Sequence, residues 1–122
     1  MPGRILVVDD EPLVAACIER LLLDEQHEVV CATRAEDALA RVLGGERFDL
    51  ILCDLMMPDM TGIDLHAALV GHDPTLAARM VFLTGGATTP RSRAFVATVA
   101  DRIVDKPFDP DQLLSMINQR VR

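Results

Sequence analysis

Nowhere does the 122-residue chain carry 18 consecutive apolar residues, and its opening, MPGRILVVDD, reaches acids before a leader-type apolar core can form. Neither a signal peptide nor a membrane span is expected. Cysteine is scarce: Cys17, Cys31 and Cys53 are an odd number without CxxC spacing. That excludes a disulfide framework, and because each lies in an apolar stretch the expectation is three reduced core residues in a cytoplasmic protein. Positive charge is also short, with 12 basic residues against 19 acidic ones and a net charge of −7. Such a surface repels phosphate backbones and anionic lipid, so direct contact with nucleic acid or membrane is not expected. There are no repeats, linkers or low-complexity tracts. Half of the residues are hydrophobic and a quarter charged, the balance of one ordinary globular domain, here residues 1–122.

What is present is an alternation of apolar runs and amphipathic stretches. Arg4 to Val8 is β-rich and ends on Asp9-Asp10. Glu11-Pro12 then opens a helix whose Leu13, Val14, Cys17, Ile18, Leu21 and Leu22 recur at three- and four-residue spacing. His27 to Ala32 reads as a second strand. Thr33 to Glu36 matches a capping box for a helix buried through Ala35, Ala38, Leu39 and Val42 and ended by Gly44-Gly45. Leu50 to Cys53 is continuously apolar and ends on Asp54, as suits a strand buried on both faces of a parallel sheet. A short helix over Ile63 to Val70 is stopped by Gly71 and Pro74, and Arg79 to Leu83 forms a fourth strand leading into Thr84-Gly85-Gly86. Pro90 to Val99 is a helix with a thin apolar face of Ala94, Phe95, Val96 and Val99. Arg102 to Val104 is a brief fifth strand, and Asp109-Pro110 starts a last helix packed through Leu113, Leu114, Ile117 and Val121.

Strand followed by helix, five times over, implies parallel strands joined by right-handed crossovers. The fold expected is α/β: a doubly wound five-stranded parallel sheet in the flavodoxin-like order 2-1-3-4-5, with helices on both faces. That order sets the first and third strands side by side, and Asp9, Asp10 and Asp54 then share one crevice at the carboxyl end of the sheet. Two unit charges about 4 Å apart repel by roughly 4 kcal/mol at an effective dielectric near 20, so a cation must offset them. Hard carboxylate oxygens select Mg²⁺ over zinc or copper. Lys106 and Thr84, ending the fifth and fourth strands, bring an ammonium and a hydroxyl to the same edge, a set suited to phosphoryl oxygens, with an Asp as nucleophile.

Asp9-Asp10, Asp54 within DLMMPDMTG, Thr84-Gly85 and Lys106-Pro107-Phe108 together resemble the response-regulator receiver domain of two-component signalling, over Arg4 to Val121. The resemblance implies that Asp54 is the phosphoacceptor. It implies that Asp10 and Asp54 bind Mg²⁺ directly, Asp9 through water and Met56 through its carbonyl, and that Thr84 and Lys106 contact the phosphoryl oxygens. It further implies a cis Lys106-Pro107 bond. The partners implied are a histidine kinase or histidine phosphotransfer domain as donor and a downstream protein, for a phospho-switch and not a turnover enzyme. With no output segment after the last helix, a single-domain regulator and the C-terminal receiver of a hybrid histidine kinase both fit, as a monomer or weak dimer.

One departure stands out. Receivers commonly have Tyr or Phe three positions before the lysine, where this chain has Ile103. Coupling from Thr84 to the surface of the helices after the fourth and fifth strands is therefore expected to be weakened or differently routed. Two other readings fit less well. An aspartyl phosphatase carries its nucleophile in a D-x-D pair on the first strand, whereas the acids here are adjacent. A flavin or nucleotide module needs a phosphate-cradling first loop, which Asp9-Asp10-Glu11-Pro12 would repel. His27, His66 and His72 share no spacing and read as surface or loop residues, and the six methionines as gap fillers.

Overall fold

In the computed structural model, which describes residues 2–86 and 89–121, the five apolar runs form strands β1 (Arg4–Val8), β2 (Glu28–Ala32), β3 (Leu50–Asp54), β4 (Met80–Thr84) and β5 (Ile103–Asp105). All pairings are parallel, in the order β2-β1-β3-β4-β5. Six α-helices cover them: α1 (Pro12–Asp24), α2 (Ala35–Leu43), α3 (Gly62–His72), α4 (Pro74–Ala78), α5 (Pro90–Thr98) and α6 (Pro110–Arg120).

Strand alternation sorts the core into two layers. One face carries Leu6, Val8, Ile51, Cys53, Met80 and Phe82, against Ala35, Ala38 and Val42 of α2, Leu65 and Leu69 of α3, Leu76 of α4 and Phe95 of α5. The other carries Ile5, Val7, Leu50, Leu52, Val81, Leu83 and Val104, covered by Ile18 and Leu22 of α1 and by Leu113 and Ile117 of α6. β3 and β4 are buried at every position, as central strands covered on both faces must be. This is the doubly wound fold that the alternation implies.

Several local expectations are corrected. The Thr33–Glu36 capping box is absent: Arg34 is the N-cap of α2, makes no capping bond, and instead pairs with Glu36 at 2.7 Å. True capping boxes begin α3 (Thr61 with Asp64) and α5 (Thr89 with Ser92), while Asp109 caps α6 as expected. Pro74 does not simply end a helix. With Asp73 as its cap it begins the short α4, a use of proline at a first-turn position. In α1, Leu13 is 86% exposed, so the apolar face of that helix rests on Ala15, Ile18 and Leu22.

All three cysteines are free, but only Cys53 is in the core; Cys17 and Cys31 are exposed, because their helix and edge strand turn them outward. His27 is buried and not a surface residue: its Nδ1 accepts the Gly3 N–H at 3.0 Å, leaving Nε2 to donate to Asn118 of α6 at 2.8 Å. His66 is half-buried against the rings of Phe82 and Phe95, with centroids 5.9 and 5.2 Å away. His72 is exposed, as expected.

Candidate functional site

β1 and β3 lie in register through Val8 and Cys53, so the next residues along each strand, Asp9 and Asp54, emerge together at the carboxyl edge. Asp9 is anchored by its own N–H, donated to the Ala32 carbonyl, and by Oδ1, which accepts the Glu11 N–H at 2.9 Å. Leu55 N–H donates to the Leu83 carbonyl, which holds the chain straight as it leaves Asp54. The loop then folds back hard. Asp59 takes a left-handed φ of 64°, and Gly62 packs so tightly that a Cβ there would stand 2.7 Å from the Asp54 carbonyl oxygen. Only glycine lets α3 start this close to Asp54.

Lys106 completes the edge. Its N–H donates to the Thr84 carbonyl, its bond to Pro107 is cis, and its Nζ stands 3.3 Å from Asp54, 3.4 Å from Asp9 and 3.5 Å from Glu11. Thr84 is buried, and its Oγ1 accepts the Gly86 N–H at 3.0 Å. The Met56 N–H reaches Asp54 Oδ1 at 3.4 Å, the long end of a hydrogen bond, while the Met56 side chain lies exposed.

The electrostatics follow from burial. Asp54 is only 5% exposed. Loss of water first, and the nearby Asp9 charge second, push its carboxyl up to about 6, against the weaker pull of Lys106 and the Met56 N–H. Burial likewise raises Asp9 in spite of the Glu11 N–H and Lys106. Burial works against the Lys106 charge too, but Asp54 and Asp9 outweigh it and hold the ammonium above its ordinary value. A site whose acids resist ionisation beside a single lysine is short of positive charge.

Carboxylate oxygens of Asp9, Asp10, Glu11 and Asp54 all lie within 4.8 Å of one another, so one cation can meet all four. The donors are hard oxygens, which fits Mg²⁺ or a similar ion. Glu11 was missed as a member by sequence reasoning, which gave it only to the helix start. The signal available was its place directly after the acid pair. At the N-cap position of α1 its side chain caps nothing and turns instead toward Lys106.

Residues 5–118 match the model of the response regulator receiver domain. The chain belongs to that family. It is 34% identical over 119 residues to the transcriptional regulatory protein DltR of Streptococcus agalactiae, covering 98% of this chain and 52% of that protein. The chain thus spans about half the length of the curated relatives it matches. A CheY-like receiver domain protein from Methanospirillum hungatei superposes with a TM-score of 0.86 at 29% identity, over 99% of this chain and 94% of that one. The chemotaxis response regulator CheY4 of Vibrio cholerae does so with a TM-score of 0.82 at 30% identity, over the whole of both chains. This receiver domain, among its described residues, has no helix long and apolar enough to cross a membrane. Its Ile103 lies beside Phe82 in the β4–β5 register and is partly buried against the α5 side of the core.

Proposed function

We propose that this receiver domain is a phospho-switch of two-component signalling in which Asp54 takes a phosphoryl group from phosphohistidine on a histidine kinase or histidine phosphotransfer domain. The observation that carries the reading is a nearly buried carboxylate at the end of β3, held 3.3 Å from a lysine ammonium inside a cluster of four acids. In the transfer the P–N bond of the donor breaks and its electron pair returns to the imidazole, while an Asp54 oxygen forms the new O–P bond. The product is an acyl phosphate on the domain itself, so the chain is modified and does not turn over a separate substrate.

Asp10 and Asp54 would hold Mg²⁺, helped by Asp9, Glu11 and the Met56 carbonyl. When bound, the ion supplies positive charge against the phosphoryl oxygens. Lys106 follows the charge from the Asp54 carboxylate to those oxygens. Thr84, whose Oγ1 already accepts from Gly86, has its O–H left to donate to them. The domain acts in the cytoplasm, and the changed surface is read by a downstream protein.

Incubation with Mg²⁺ and a small acyl phosphate, followed by intact mass, tests this. One added phosphoryl group, lost with EDTA present from the start and lost in Asp54→Asn, is the expected result. No adduct on the wild-type protein, with Mg²⁺ binding shown separately, overturns it.

A further inference from the structure

Phosphorylation at Asp54 is useful only if some other part of the surface feels it, and Ile103 offers no aromatic ring to move. The first turn of α3 offers a different connection. Gly62 packs on the Asp54 carbonyl, and its N–H donates to the Leu55 carbonyl at 3.0 Å, so the start of α3 rides on the backbone of the acceptor residue. That start is a closed capping box. Asp64 N–H donates to Thr61 Oγ1 at 3.2 Å, and Asp64 Oδ2 accepts the Thr61 N–H at 3.0 Å. The other carboxylate oxygen, Oδ1, accepts from Arg91 Nη2 of α5 at 2.6 Å. One side chain therefore caps the helix that rests on Asp54 and holds the first turn of the helix that follows β4.

Two residues further along α3, His66 stands edge-on to Phe95 of α5, and Phe95 stands edge-on to Phe82 of β4 with centroids 5.1 Å apart at 89°. Phe82 is fully buried and lies two residues before Thr84 on the same strand. Edge-to-face rings have a defined best geometry, so a shift of α3 or of β4 costs contact energy unless α5 moves with it. The ion pair and the ring cluster grip α5 at two places along its length, both from elements that end at the phosphoacceptor site.

We propose that the seam between α3 and α5, made by Asp64–Arg91 and by His66–Phe95–Phe82, is the route by which the state of Asp54 reaches the α5 surface in this protein. The inference rests on Asp54 being the phosphoacceptor. It replaces a relay through position 103 by one through α3.

The test compares ¹H–¹⁵N spectra with and without Mg²⁺ and a small acyl phosphate, with intact mass read in parallel, for the wild type, Arg91→Gln, Arg91→Lys and Phe95→Leu. None of these residues belongs to the acid site. In the wild type the α5 amides shift when the adduct forms. In Arg91→Gln and Phe95→Leu the adduct forms to the same extent, but the α5 shifts fall below half of the wild-type values, and Arg91→Lys, which keeps the charge, recovers them. Full α5 shifts in both Arg91→Gln and Phe95→Leu overturn the seam as the route, as do unmoved α5 amides on phosphorylated wild type. Absence of any adduct on the wild type refutes the acceptor reading and the relay with it.

Discussion

Replacing Asp54 by Asn should make the metal-free protein more stable at neutral pH, although it removes the residue on which the proposed function depends. Burial and the Asp9 charge raise the Asp54 carboxyl from 3.8 to about 6. At about 1.4 kcal/mol for each tenfold change in proton affinity, keeping that group ionised in the folded state costs about 3 kcal/mol above pH 6. The sign follows from linkage. The folded protein holds the Asp54 proton up to about pH 6 and the unfolded chain only up to about 4, so between those values the folded state binds more protons and stability rises as pH falls. Asn is neutral throughout and similar in shape. Lys106 is not stranded by the change, since Asp9 and Glu11 remain within 3.4 and 3.5 Å of its Nζ. Allowing about 1 kcal/mol for the altered hydrogen bonding, the variant should gain about 2 kcal/mol, a rise of several degrees in Tm for a domain of this size. Far-UV circular dichroism melts in EDTA at pH 7.5 and at pH 4 measure it. Asp9 is coupled to Asp54 through their mutual repulsion, so the difference between the two proteins reports the Asp54 charge together with its effect on Asp9. A variant no more stable than wild type at pH 7.5, or an advantage undiminished at pH 4, would refute the reasoning.

Three further outcomes follow from the same geometry. Mg²⁺ should stabilise the folded wild type, and so raise its Tm, by about 2.7 kcal/mol at one hundred times its dissociation constant, a gain that grows with the logarithm of the free ion concentration. Asp10→Asn should shrink that gain severalfold, and an equal gain in the variant would place the ion elsewhere. Gly62→Ala should destabilise by about 2 kcal/mol or more, because the added methyl would lie 2.7 Å from the Asp54 carbonyl oxygen and neither backbone can yield easily; a denaturant midpoint equal to wild type contradicts the close approach. His66 is held below its ordinary value by burial and by Arg102. The folded state therefore binds its proton more weakly than the unfolded one, and stability should fall as pH drops below about 6.5. His66→Leu should lessen that loss, and an unchanged pH profile in its chemical melts would argue against the half-buried ring.

The strands and their order were legible because the information is local and repeated. Runs such as Leu50–Cys53 need no partner to announce a strand buried on both sides, and strand–helix alternation leaves few topologies. Asp9, Asp54 and Thr84 were legible for the same reason, each closing an apolar run, and Lys106 because it follows the brief fifth one by a single residue, so that all four fall at one edge of the sheet. Periodicity was less reliable in the finer detail. Cys17 fits the spacing of α1 yet faces solvent, and the Thr33–Glu36 pattern, though right in composition, lost to an Arg34–Glu36 ion pair. Pro74 looked like a terminator because a proline that ends one helix and a proline that begins the next occupy the same place in a sequence.

The sequence by itself determined the doubly wound sheet and the meeting of the acids with Lys106, since both follow from where apolar runs stop. Only the tertiary structure decided which way individual polar side chains turned. Glu11 left its helix cap for Lys106, His27 was drawn inside by Asn118, 91 residues away along the chain, and Asp64 divided its two oxygens between Thr61 and Arg91. Such choices depend on partners brought close by folding, and their energies, of the order of one hydrogen bond each, leave no periodic trace in the chain.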